Sequence, residues 1–224
     1  MTREICIIYG SQTGNSEQAA KDLSDRLHEK GLASTHMQAD DFLELEKCKW
    51  TQCMVIITSS YGVGQAPLGC YRFRELCDAW HQQYTDDPNK PKLLEGLTYF
   101  LCGLGDSKYT TFFRNPTRID EAMKMAGAKR VGPLGKADAS GEQLKAIDSW
   151  MDEVLPLIEK VAAEPALPQE QLQAMQDEAV ALCRQINPDF LPDGDRHHEK
   201  FPWSPMVAVL AIVLYLLLQH FELV

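Results

Sequence analysis

Three apolar, β-branched or aromatic runs, Ile5-Cys6-Ile7-Ile8, Cys53-Met54-Val55-Ile56-Ile57-Thr58 and residues 97–101, each give way to a loop of small and polar residues. Runs that are apolar on both faces fit strands buried inside a parallel sheet. Between them lie helical patterns. Ala19, Ala20, Leu23 and Leu27 recur at helical spacing over 15–30, with Gly31 as a stop, and a second helix is expected from about 67 to 80. Asn115-Pro116 reads as N-cap and first residue of a helix reaching about 126, because proline there forfeits no needed N–H. Residues 34–38 and 129–133 read as short strands, 134–141 as a loop and 142–161 as a final helix bent at Pro156. Strand and helix alternating in this way imply an α/β, doubly wound, five-stranded parallel sheet with right-handed crossovers. Ligands in such sheets bind beyond the carboxyl ends of the strands, where the three loops fall.

The loop after the first run, Tyr9-Gly10-Ser11-Gln12-Thr13-Gly14-Asn15-Ser16, offers hydroxyls and side-chain amides, and its two glycines let backbone N–H groups converge at a helix N-terminus. It has neither the lysine of a nucleoside triphosphate loop nor the glycine spacing of a dinucleotide turn. Its chemistry suits a terminal monophosphate held by many hydrogen bonds, with an ordinary capped helix as the plainer reading. The second loop, Ser59-Ser60-Tyr61-Gly62-Val63-Gly64-Gln65-Ala66-Pro67, carries one aromatic ahead of its helix. The third, Cys102-Gly103-Leu104-Gly105-Asp106-Ser107-Lys108-Tyr109-Thr110-Thr111-Phe112-Phe113, carries Tyr109. A tyrosine in a glycine-rich turn reads singly as structural. Two beside a monophosphate site suit a flat conjugated ring, and together they point to flavin mononucleotide (FMN).

Over residues 3–162 the sequence resembles the flavodoxin-like FMN domain of diflavin reductases, enzymes that feed haem-thiolate monooxygenases or reactivate methionine synthase. The carrying residues are Gly10-Ser11-Gln12-Thr13-Gly14-Asn15, Tyr61-Gly62-Val63-Gly64, Leu104-Gly105-Asp106-Ser107-Lys108-Tyr109 with Phe112, and the proline-containing helix around Trp150. The resemblance implies strand order 2-1-3-4-5. It implies that Ser11, Gln12, Thr13, Gly14, Asn15 and Ser16 hold the phosphate and that Tyr61 and Tyr109 flank the isoalloxazine. Gly62 would sit near flavin N5, and Asp106 and Asp138 match acidic positions near the ring. By the same resemblance Ser59, Ser60, Val63, Gly64, Leu104, Gly105, Phe112 and Phe113 complete the cofactor set. Val63, Gln65, Phe113 and Pro116-Thr117 depart from residues common in the family, so flavin potentials are not inherited from it.

A formal charge of −10 argues against nucleic acid and for basic docking partners. The seven cysteines show no paired metal spacing and read as reduced core thiols, and no secretory leader is legible at the amino terminus. Residues 164–202 read as a linker containing a helix over 168–186, whose Leu172, Met175, Ala179, Leu182 and Ile186 form one apolar seam. That seam either packs onto the domain of residues 1–163 or self-associates. Residues 206–218 hold no polar group but the Tyr215 hydroxyl, and with their flanks approach the roughly 30 Å of a bilayer core. Residues 203–221 are therefore expected to be a transmembrane helix, with a soluble core helix as the alternative. Arg196, His197, His198 and Lys200 on the domain side place the domain in the cytosol, tail-anchored at the endoplasmic reticulum in preference to the mitochondrial outer membrane.

The expected function is that of a single-electron carrier, reduced by a separate NAD(P)H-dependent flavoprotein reductase and oxidised by a haem, iron–sulfur or other redox protein. Flavin supplies the redox chemistry, so the protein needs no catalytic acid, base, nucleophile or metal. A tail-anchored scaffold that keeps the fold without redox activity, and an FMN-dependent quinone reductase, are the alternatives.

Overall fold

A computed structural model of the chain describes residues 4–43 and 50–187. Among the described residues six strands and six helices follow one another as β1 (Ile5–Gly10), α1 (Asn15–Glu29), β2 (Ser34–Gln38), α2 (Ala39–Phe42), β3 (Cys53–Ser59), α3 (Tyr71–Asp86), β4 (Thr98–Gly105), α4 (Arg114–Met125), β5 (Lys129–Arg130), β6 (Gly135–Asp138), α5 (Gln143–Ala163) and α6 (Gln169–Ile186). All strand pairs are parallel and the order is β2-β1-β3-β4-β5, as the resemblance implies, with β6 also paired to β4.

Alternation along the buried strands divides the interior into two cores. Ile5, Ile7, Val55, Ile57 and Phe100 face α1 and α5, packing on Leu23, Leu27, Val154 and Ile158. Cys6, Ile8, Met54, Ile56, Tyr99 and Leu101 face the opposite layer, with Phe73, Trp80, Ile119 and Met123. Each aliphatic side chain sealed there contributes about 1.5–3 kcal/mol of transfer free energy. The six cysteines among the described residues are all buried and unbridged, and burial pushes the thiols of Cys70, Cys102 and Cys183 up to about 12. Cys48 lies outside the described residues.

Four local expectations are corrected. Helix α3 begins at Tyr71 rather than near 67, because Gly69 at φ 72° turns the chain first. Its exposed N–H groups are met from α2: the Asp40 carboxylate accepts from Tyr71 N at 3.0 Å and from Phe73 N at 3.0 Å. Asn115 is not a cap. Helix α4 starts at Arg114, and the buried Asn115 side chain donates to Thr58 Oγ1 and Ser59 O while accepting from Arg74 Nη1. That tie joins β3, α3 and α4 directly below the second loop. The fifth strand position is shared by β5 and β6, interrupted where Gly132 adopts φ 72° and Pro133 has no N–H to offer the ladder. Residues 135–138, expected as loop, are therefore strand.

The helix expected within a linker belongs to the core. Leu172, Met175, Ala179 and Cys183 of α6 are buried against α3, in the same cluster as Phe73, Leu76 and Trp80. The buried seam ends on Cys183 rather than Leu182, and Ile186 stays exposed. Pro156 lies inside α5, where it removes one backbone hydrogen bond. Among the described residues no helix is long and apolar enough to cross a membrane, and the expected span at 203–221 lies outside them.

Candidate functional site

The carboxyl ends of β1, β3 and β4 surround a cleft of about 360 Å³, within the range of small-ligand sites. Ser11, Gln12, Thr13, Asn15 and Ser16 line it from the first loop, Ser59, Ser60, Tyr61 and Gly62 from the second, and Leu104, Gly105, Asp106, Tyr109 and Phe112 from the third. Sequence reasoning missed Thr111, Ala139 and Gln143, which line it as well. Gln143 opens α5, far along the chain from the other loops. Its amide donates to Ala137 O and its Oε1 accepts from Asn15 Nδ2 at 3.0 Å, joining the first loop to the β6 edge. No signal in its own neighbourhood marks it.

The first loop owes its shape to Gly14, whose φ of 92° at the N-cap of α1 is open to glycine and strained for other residues. Gly14 N donates to Ser11 Oγ at 3.0 Å, and Ser11 N donates to Leu68 O, which fixes the loop against the second connection. Ser16 is fully buried in the first turn of α1, and its Oγ has no hydrogen-bond partner. A buried hydroxyl without a partner at a helix N-terminus, where N–H groups and the helix dipole converge, is a site made for an anion.

The second loop closes on itself. Tyr61 and Gln65 exchange backbone hydrogen bonds across Gly62 and Gly64, both at positive φ. Thr111 Oγ1 donates to Gly62 O, and the Arg114 stem packs on Gly64 where a side chain would collide with it. In the third loop Asp106 accepts from Lys108 N and from the Ser140 hydroxyl, while Asp138 accepts from Ser107 N and Ser140 N. These donors hold both carboxyls below their ordinary range, so both stay ionised. Tyr61 and Tyr109 are about half and two-thirds exposed at 48% and 64%, leaving their rings open to a ligand or a partner.

Five expected residues stand outside the cleft lining. Gly14 shapes the cradle from behind, Val63 points to solvent, and Gly64 supports Arg114. Asp138 anchors the loop that Asp106 lines. Phe113 is buried over Gly103, where a Cβ would strike its ring. Its φ of 65°, unique among the described non-glycine residues, reverses the chain so that Phe112 faces the cleft while Phe113 enters the core. Among the described residues no group of three or more His, Cys, Asp or Glu could hold a metal ion.

A parallel doubly wound sheet with a lysine-free anion cradle and an aromatic-lined cleft at its switch point defines a mononucleotide-binding α/β domain. Residues 7–150 match the family model described as flavodoxin, and the chain belongs to that family. Among curated proteins it is 27% identical over 168 residues to the sulfite reductase [NADPH] flavoprotein alpha-component of Bacillus subtilis, covering 75% of this chain and 26% of that one. It is 31% identical over 147 residues to the bifunctional cytochrome P450/NADPH–P450 reductase of Bacillus cereus, covering 65% and 13%. The chain thus spans about a quarter or less of these relatives. Among solved structures, a cysteine-to-serine mutant of flavodoxin from Pseudomonas aeruginosa superposes with a TM-score of 0.53 at 24% identity, over 72% of this chain and 97% of that one, a likeness of fold.

The flavodoxin family binds FMN, and the residues present here fit it. The unpartnered Ser16 hydroxyl, the hydroxyls of Ser11 and Thr13 and the Asn15 amide suit a terminal phosphate, while Tyr61, Tyr109, Phe112 and Leu104 suit a flat ring.

Proposed function

We propose that this chain carries single electrons through FMN, receiving them from a separate NAD(P)H-dependent flavoprotein reductase and passing them to a haem, iron–sulfur or other redox protein. The observation that carries the reading is the cleft itself: an unpartnered buried hydroxyl at a helix N-terminus, opening onto two solvent-exposed tyrosines. The printed names of two relatives, a flavoprotein component and a P450 joined to its reductase, support redox partnership. Bound FMN supplies a centre that exchanges electrons one or two at a time. The chain binds the phosphate through residues 11–16 and orients the ring between loops stiffened by Thr111, Arg114 and Ser140. Ionised Asp106 beside the cleft disfavours added negative charge on the ring and so opposes its reduction. Attachment to a membrane through residues 203–221, with the domain on the cytosolic side of the endoplasmic reticulum, is part of the same proposal and rests on the apolar run at 206–218.

The test uses the purified full-length protein. Stoichiometric binding of FMN but not FAD, reduction by a purified flavoprotein reductase with NADPH, and onward reduction of a haem protein are expected. A chain that binds no added FMN in calorimetry overturns the reading. Reduction by NADPH alone would favour the quinone reductase alternative instead.

A further inference from the structure

Helices α1 and α5 lie side by side on one face of the sheet and are tied along their length. Arg26 reaches Asp148 at 2.7 Å and Asp152 at 3.0 Å, and Lys30 pairs with Glu159. Beneath these ion pairs Leu23 and Leu27 share a core with Val154 and Ile158. The contacts fix the register of the two helices, and at their cleft ends the first residue of α1, Asn15, meets the first residue of α5, Gln143.

The Gln143 carboxamide has only one orientation that satisfies its neighbours. One end lies 3.2 Å from Ala137 O and 3.4 Å from Gly105 O, at the paired ends of β6 and β4. Carbonyl oxygens only accept, so that end is the Nε2 amide, and Oε1 is left to face Asn15. Oε1 only accepts in its turn, which makes Asn15 Nδ2 its donor at 3.0 Å. Through Gln143, the backbone at the sheet edge therefore decides which way Asn15 turns its amide. Both side chains line the cleft together with Ser16, whose buried hydroxyl has no partner.

We propose that Gln143 is a positioning residue for the phosphate of FMN, acting through Asn15. This rests on the reading of residues 11–16 as the phosphate cradle. Asn15 Nδ2 carries two hydrogens, one spent on Gln143 and one left to donate. A carboxamide free to rotate could turn its oxygen toward the anion instead, and an acceptor beside an anion is repulsive. Asn15 is exposed and Gln143 half-buried, so their bond adds little to folding in water. Its value lies in orienting a donor before the charged ligand arrives, which lowers the ordering cost of binding.

Full-length parent and Gln143→Met, which keeps the length of the stem and removes both ends of the amide, are stripped of flavin and titrated with FMN and with riboflavin, which has the ring and ribityl chain but no phosphate. In Gln143→Met the FMN dissociation constant is expected to rise about tenfold and the riboflavin constant to stay within about twofold. The melting temperature of the flavin-free protein should change little. Asn15→Ala should weaken FMN binding at least as much, and the double variant no more than Asn15→Ala alone, because Gln143 acts through Asn15. Inorganic phosphate, added to the flavin-free proteins, should raise the melting temperature of the parent more than that of Gln143→Met. Riboflavin weakened as much as FMN would make Gln143 a ring contact or a support of the fold, additive losses would make it independent of Asn15, and an unchanged FMN constant or an equal response to phosphate would leave it no part in the cradle; each overturns the proposal. A parent that binds neither FMN nor phosphate overturns the cradle reading as well, an outcome seen without any variant.

Discussion

Ser16 shows how one side chain separates binding from stability. Its buried hydroxyl lacks a partner in the protein, so removing it forfeits no intramolecular bond. Ser16→Ala is expected to leave the melting temperature of the flavin-free protein unchanged or slightly raised, since an unsatisfied buried polar group is itself a cost. FMN affinity should fall by about 10- to 100-fold, the equivalent of about 1.5–3 kcal/mol for a hydrogen bond to a charged group. Paired melting curves and fluorescence titrations measure both, and equal affinity in the variant would remove Ser16 from the cradle. Asp106 and Asp138 make a second prediction of sign. Both are held below the ordinary carboxylate range by N–H and hydroxyl donors, so their contribution to the third loop is complete above about pH 4 and is lost as pH falls through their lowered values. Flavin release on acidification should therefore begin at higher pH in Asp138→Asn than in the parent, followed by recovery of free FMN fluorescence.

The elements owe their positions to residues far away in the chain. Helix α3 is started by the Asp40 carboxylate and tied by Arg74 to Asn115, so its placement depends on α2 and α4 together. Strand β4 is held at its start by a network around the buried Asp120, in which the Tyr99 hydroxyl donates to Asp120 Oδ1, and Arg130 and Lys124 pair with Asp120 Oδ2 from the surface side. Helix α6 makes a quantitative case. Met175 is 3% exposed among the side chains that α6 and α3 share, so Met175→Ala is expected to cost about 2–5 kcal/mol in chemical denaturation while FMN affinity is retained. A variant as stable as the parent would mean that α6 is dispensable to the core.

At the scale of the whole molecule, the remaining prediction concerns the apolar run. Deleting residues 203–224 is expected to move the protein from the carbonate-resistant membrane fraction to the soluble fraction and to leave FMN binding intact, because the described residues that line the cleft lie between positions 11 and 143. Persistent membrane association of the shortened chain would reject residues 203–221 as the attachment. The parallel sheet, the three loops and most of the cleft lining were legible in the sequence, because continuous apolar runs and the glycine-rich turns at their ends are local signatures of buried parallel strands, whereas the strand order came with the family resemblance. The cradle at residues 11–16 and the aromatic positions 61 and 109 were legible for the same reason. Residues whose roles depend on distant partners were not: Gln143 reaches the cleft from α5, Asn115 trades a cap for a buried tie, and Phe113 leaves the cleft for the core at a positive φ. The seam of α6 was visible as a pattern, but periodicity names an apolar face without naming the element that covers it. Its docking on α3 and the split of the fifth strand at Gly132 were decided in tertiary structure. There, packing and the local field act between residues that the chain holds apart.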